Sequence, residues 1–188
     1  MQENSQHINQ LIGSCKKGDQ NAQFELYKLF YKAMYNTSYR ILNDSFEAED
    51  VMQEAFLNAF TKLDTYKGEV TFGAWLKRIV INRSLTQLRK IKRQDEMKFD
   101  DVENKIEVVE EDDYQDNIDY SDLKAKEIIN TIQQLKENYC MALTLSLIEG
   151  YDNEEIAQIM QISNENCRTT ISRAKNKLRQ LLKPSLVN

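Results

Sequence analysis

The chain has 188 residues, room for one ordinary domain or two small ones, and a net charge of −5 that argues against a uniformly basic nucleic-acid binder. One Pro and five Gly leave little of the turn chemistry a sheet protein needs, so the composition favours an all-α fold. Three scattered cysteines and a single histidine exclude a disulfide framework, a zinc site and His-based catalysis.

In chain order, Ser5 to Lys17 carries Ile8, Leu11, Ile12 and Cys15 at helical spacing and stops at Gly18. His7 reads as a surface residue near that helix start. Asp19 predicts a cap for a long helix to about Leu42, with Ala22, Leu26, Leu29, Phe30, Ala33, Ile41 and Leu42 inside. Asp44 and Glu47 form a capping-box pattern before a third helix. Its apolar positions are Ala48, Val51, Met52, Ala55, Phe56, Ala59, Phe60 and Leu63. A loop from Asp64 to Val70 leads to Thr71, the expected cap of a fourth helix with Phe72, Trp75, Leu76, Ile79 and Val80 inward. Lys77, Arg78 and Lys92 then fall opposite that stripe, with Arg89 at its border.

From Gln94 to about Tyr120 no periodicity holds and acids crowd together, as expected of a flexible acidic linker. A helix with Leu123, Ile128, Ile129, Ile132 and Leu135 follows, then another from Tyr139 to Ile148 closed by Glu149-Gly150. Glu154 to Met160 predicts a short helix, Gln161-Ile162-Ser163 a tight turn, and Asn164 to about Leu182 a longer helix ended by Pro184. The expected organisation is therefore two small helical domains, 1–93 and 121–188, joined by a linker over 94–120. No stretch approaches 18 apolar residues and the first ten are polar, so a soluble, cytoplasmic protein without membrane insertion is expected. Cys15, Cys140 and Cys167 each sit on an apolar stripe and read as small buried hydrophobes in a reducing compartment.

The acidity belongs to one segment. Residues 98–127 carry a net −8, against +2 before them and +1 after. Leu76 to Arg93 holds seven cations and no acid, and Cys167 to Asn188 holds six and no acid. Two basic stripes suit phosphate contact at two places.

A short helix, a three-residue turn and a longer basic helix is the layout of a helix-turn-helix. Ile156, Ile159, Ile162, Cys167 and Ile171 can form its core, and Ser163 can cap the second helix. Asn164, Asn166, Arg168, Thr169, Arg173 and Lys175 are then exposed toward phosphates and base edges. In the first half, Tyr66, Lys67, Phe72 and Trp75 gather just before the other basic stripe. Rings beside cations suit single-stranded DNA, where bases stack and phosphates are neutralised.

These residues carry a resemblance. Glu47-Ala-Glu-Asp-Val-Met-Gln-Glu-Ala-Phe56 and Phe72-Gly-Ala-Trp-Leu-Lys-Arg-Ile-Val-Ile-Asn-Arg83 resemble region two of the sigma-70 superfamily. Glu149-Gly-Tyr-Asp-Asn-Glu-Glu-Ile-Ala157, Ile162-Ser163 and Ser172-Arg-Ala-Lys175 resemble region four. With no region three between them, the pattern is that of the extracytoplasmic-function (ECF) group of RNA polymerase sigma factors.

The resemblance implies a protein that makes no bonds and uses no cofactor, metal or small-molecule ligand. It implies that Glu49, Asp50, Gln53 and Glu54 dock on the clamp helices of the largest polymerase subunit. It assigns Tyr66, Lys67, Phe72, Trp75, Lys77, Arg78, Asn82, Arg89 and Lys90 to the melted minus-ten element, and the helix-turn-helix to the minus-thirty-five element. The helices before the helix-turn-helix would meet the flap of the other large subunit, and an anti-sigma factor would cover the same surfaces. Gln161 stands where the family's turn usually has Gly, Lys136 and Cys140 replace a common Pro and Arg, and Thr86 replaces a frequent Asp. A stand-alone helix-turn-helix regulator of duplex DNA would leave the first half unexplained. An interaction module that titrates another regulator would leave the two basic stripes unexplained.

Overall fold

The computed structural model describes residues 2–98 and 120–182, all of whose regular elements are helical. The chain divides into two compact units, Met1–Lys98 and Phe99–Asn188. The remainder of the expected acidic linker, 99–119, and the expected helix stop at Pro184 lie outside the described residues.

The first unit holds α1 (Gln2–Cys15), α2 (Gln20–Leu42), α3 (Ser45–Thr61) and α4 (Phe72–Lys98). Asp19 caps α2, its Oδ1 accepting from the backbone N–H of Asn21 at 2.9 Å and of Ala22 at 3.3 Å. α2 ends on Asn43 in the left-handed region (φ 52°), whose N–H returns to the Tyr39 carbonyl. Asp44 then caps α3, with Oδ1 accepting from Glu47 N–H at 2.9 Å. Only half of the expected capping box forms, because the Glu47 carboxylate accepts from Gln87 Nε2 of α4 at 2.7 Å.

Small residues set the packing. Ala48, Ala55 and Ala59 of α3 are fully buried and let its backbone approach α2 and α4, around Leu26, Met34, Met52, Leu76 and Val80. Burying each of the larger side chains contributes about 1.5–3 kcal/mol. The inward stripe of α2 differs from expectation: Leu29 and Ala33 face solvent, whereas Met34, Thr37 and Ser38 are buried. The Ser38 hydroxyl lies 3.0 Å from that of Ser84, which donates to the Val80 carbonyl at 2.9 Å, so two polar residues are satisfied where α2 meets α4.

α4 is turned relative to its expected stripe. Leu76, Val80, Ile81, Ser84 and Leu85 are buried, while Trp75 and Ile79 are only partly covered. The helix also runs five residues past Arg93 into the segment expected to be linker, through the helix-forming run Gln94-Asp95-Glu96-Met97-Lys98.

The second unit holds α5 (Tyr120–Gln133), α6 (Glu137–Leu143), α7 (Asn153–Met160) and α8 (Asn164–Leu182). Ile132, Leu135 and Leu143 pack on Ala174 and Leu178 of α8. The helix expected from Tyr139 to Ile148 starts two residues earlier and opens after Leu143 into a π-turn over Thr144–Ile148. There Glu149 N–H bonds the Thr144 carbonyl at 3.0 Å. The wider turn keeps Leu143, Thr144 and Leu145 all buried and sends Leu147 outward.

Asp152 opens α7 with a complete capping box: its Oδ1 accepts from Glu154 and Glu155 N–H at 2.8 Å each, and Glu155 Oε2 accepts from Asp152 N–H at 3.0 Å. Between α7 and α8, Gln161 holds the left-handed conformation (φ 58°, ψ 44°), and Ile162 N–H bonds the Ala157 carbonyl at 3.0 Å. The tight turn forms without its usual Gly, at a steric cost of about 1 kcal/mol. Ile156, Ala157 and Ile159 are buried with Cys167 and Ile171, as expected of a helix-turn-helix, although Ile162 is only half-buried.

Candidate nucleic-acid surfaces and a docking face

Tyr66 anchors the loop before α4. Its hydroxyl donates to the Val70 carbonyl at 2.8 Å, closing a five-residue turn that includes Gly68 at φ +79°. The ring meets Phe72 edge-on at 5.8 Å and Trp75 at 5.4 Å. Phe72 is 2% exposed and meets Phe30 edge-on at 5.4 Å. It therefore supports the cluster from beneath and is not presented to a ligand, whereas Tyr66 and Trp75 are half-buried. Gly73 makes this possible, because a Cβ there would stand 2.9 Å from the Phe30 ring. Burial pushes the Tyr66 phenol up from its usual range, so it is neutral and donates.

Trp75, Arg78, Asn82 and Arg89 recur at helical spacings along the outer side of α4, so the ring cluster runs directly into the cations. Lys67 and Lys90 are exposed as well, Lys90 on the flank of α4 that carries Arg83. Lys77 is not brought to this face. It is half-buried on the side that carries Ile81 and Ser84, and Lys92 is half-buried too, because α4 is turned as described.

On α3, Glu49, Asp50 and Gln53 face solvent, with Gln53 Nε2 donating to Glu49 Oε1 at 3.2 Å. Phe46 and Leu57, 85% and 70% exposed, stand at the two ends of the same outer stripe as Asp50 and Gln53. Glu54, one turn on from Asp50 and with its side chain 51% exposed, stands on the α4 side of this stripe, where its carboxylate pairs with Arg83.

In the second unit Ser163 Oγ accepts from Asn166 N–H at 3.2 Å and caps α8. Asn164, Asn166, Arg168, Thr169 and Arg173 are exposed as expected, and Lys175 is half-buried. They fall on two flanks of the helix. Arg168, Ser172, Lys175 and Arg179 line a shallow cleft of about 280 Å³ with Asn153 at the start of α7, while Asn166 and Arg173 lie on the other flank. Arg179 was missed by sequence reasoning, although its spacing of eleven from Arg168 and four from Lys175 is the signal that finds it. Burial raises the thiols of Cys15, Cys140 and Cys167, so all three stay protonated near neutral pH. Among the described residues no cluster could hold a metal ion and no helix is long and apolar enough to cross a membrane.

Comparison with known proteins agrees with this layout. Residues 26–94 match the sigma-70 region 2 family and residues 125–178 match sigma-70 region 4. The chain is 32% identical to the RNA polymerase sigma-H factor of Pseudomonas aeruginosa over 94% of each protein. It is 29% identical to the ECF sigma factor SigW of Bacillus subtilis, over 94% of this chain and 97% of that protein. It is 30% identical to the ECF sigma-E factor of Escherichia coli over 93% of each. The fold is shared with the sigma factor RpoE of Bartonella quintana, solved with the anti-sigma factor NepR (TM-score 0.61, 22% identity, 85% of this chain and 95% of that one). It is shared too with CnrH, solved with the cytosolic domain of CnrY (TM-score 0.56, 21% identity, 95% of this chain and 98% of that one).

Proposed function

Because the chain belongs to the extracytoplasmic-function group of the sigma-70 family, we propose that its two units divide the work of transcription initiation. The protein is an RNA polymerase sigma factor, which directs core enzyme to promoters and promotes their melting. Catalysis of RNA synthesis stays with the polymerase.

The first unit docks on core through the outer face of α3, where Glu49, Asp50 and Gln53 suit arginines of the clamp helices. Its loop at Tyr66 and the ring of Trp75 receive an extruded base of the minus-ten element, and Arg78, Asn82, Arg89 and Lys90 neutralise the adjoining backbone. Extruding a base costs a few kcal/mol, which stacking and pocket contacts offset. The second unit lays α8 in the major groove of the minus-thirty-five element, with Asn166, Thr169 and Arg173 toward base edges. Arg168, Lys175 and Arg179 take phosphates along the cleft, and the helices before α7 meet the flap. An anti-sigma factor is the expected regulator, as in the solved complex of RpoE with the anti-sigma factor NepR.

The observation that carries this reading is that the two basic surfaces stand on separate units and the first adjoins the ring cluster of Tyr66 and Trp75. The experiment is run-off transcription by bacterial core polymerase on DNA selected from the host genome. Protein-dependent initiation at discrete start sites supports it. Tight duplex binding without initiation or co-elution with core would replace it with a stand-alone regulator.

A further inference from the structure

α3 carries the docking face and α4 the strand-holding face, and two polar links join these helices along one seam. The Glu54 carboxylate pairs with the Arg83 guanidinium, and two turns earlier on α3 Glu47 accepts from Gln87 Nε2 at 2.7 Å. The order is that of an antiparallel pair, the earlier α3 residue meeting the later α4 residue. One residue of rotation, about 100°, turns Glu54 away from Gln53 and toward this seam. Arg83 is turned in the same way from Arg78, Asn82 and Arg89. Its side chain is 35% exposed, and its Nε–H is buried without an acceptor, so the head group is drawn in against α3 and away from the open face of α4. An unpartnered buried donor costs about 1–3 kcal/mol, which the pairing of the rest of the guanidinium with Glu54 offsets.

We infer that Glu54 and Arg83 are positioning residues for each other and touch neither polymerase nor DNA. The pair fixes the register of α3 on α4, so that the acids facing polymerase and the cations facing the melted strand are presented as one rigid surface. The inference rests on the sigma-factor reading. It removes Glu54 from the docking set expected from sequence, and Arg83 from the cations of α4 that can meet phosphate.

A charge swap in the full-length protein tests it. Glu54→Arg alone and Arg83→Glu alone each place like charges on the seam, and core affinity and promoter melting should both fall, roughly tenfold. Glu54→Arg combined with Arg83→Glu restores opposite charges, and both activities should return to within about threefold of wild type. Core binding that stays as weak in the combined variant as in Glu54→Arg would make Glu54 a direct polymerase contact. Recovery of core binding with a salt dependence of promoter binding lowered by about one ion would make Arg83 a phosphate contact. Either result overturns the inference. Should the reversed charges unfold the unit, Glu54→Gln with Arg83→Gln asks the same question with a neutral pair. Core binding and melting per bound complex should then fall together and by no more than about threefold, and loss of core binding with melting per bound complex intact would again place Glu54 on polymerase. Failure of the wild-type protein to bind core would remove the sigma-factor reading itself, before any variant is measured.

Discussion

In the first unit the cations of α4 stand in line with Tyr66 and Trp75, which rest on buried Phe72, and the helix is tied to its neighbours by the Ser38–Ser84 hydroxyl pair and the links to Glu47 and Glu54. In the second unit the cations of α8 have no ring among residues 164–182, and the helix packs through an apolar stripe of Cys167, Ile171, Ala174 and Leu178. Bases stack on rings, whereas phosphates and base edges need only cations and amides. The same device, a basic helix, therefore suits a melted strand in one unit and an intact duplex in the other, and the neighbours of the helix decide which.

The largest effect should come from equal core truncations. Leu26→Ala in the first unit and Leu143→Ala in the second each remove a fully buried leucine at a cost of about 2–5 kcal/mol. Calorimetry with hydrogen exchange should show each variant losing protection in its own unit alone. Protection lost in both units from one substitution would mean that they do not fold independently. Next, Tyr66→Ala should cost promoter melting about 1–3 kcal/mol, one base stack, with core and duplex affinity unchanged. Tyr66→Phe keeps the ring and loses only the hydroxyl bond to Val70, so it should retain most melting. Arg168→Ala should lower the slope of log K against log salt for upstream duplex by about 0.9, whereas Arg173→Ala should cost about 1–3 kcal/mol and relax base preference, and both should leave core binding intact.

The smallest effect compares the two left-handed residues. Gln161→Gly should stabilise the second unit by about 0.5–1 kcal/mol, whereas Asn43→Gly in the first should change little, because Asn tolerates that conformation. Thermal melting of the two variants decides it.

The helices were legible because each announces itself locally. Asp19, Asp44 and Ser163 cap where their spacing predicts, and the three-four stripe of α3 is buried as read except for Phe60, which is half-buried. What sequence could not supply was the rotation of helices buried on more than one side. α2 and α4 each meet several neighbours, so Ser38 and Ser84 go inside as a bonded pair while Leu29 stays out, and Lys77 turns inward. A one-sided apolar stripe is a poor guide there. The same difficulty hid the seam: Glu54 resembles its neighbours Asp50 and Gln53 in type, and only its pairing with Arg83 separates them. The π-turn after Leu143 had no sequence signal that a helical repeat could register.

The division of labour is tested most directly by thymine reactivity within the minus-ten element, measured per bound complex at saturating promoter DNA. Polymerase carrying Arg168→Ala with Arg173→Ala should melt as fully as wild type once bound, and polymerase carrying Tyr66→Ala should bind as wild type but melt a clearly smaller fraction of complexes. Melting lost in the first variant and retained in the second would contradict the assignment of strand separation to the first unit.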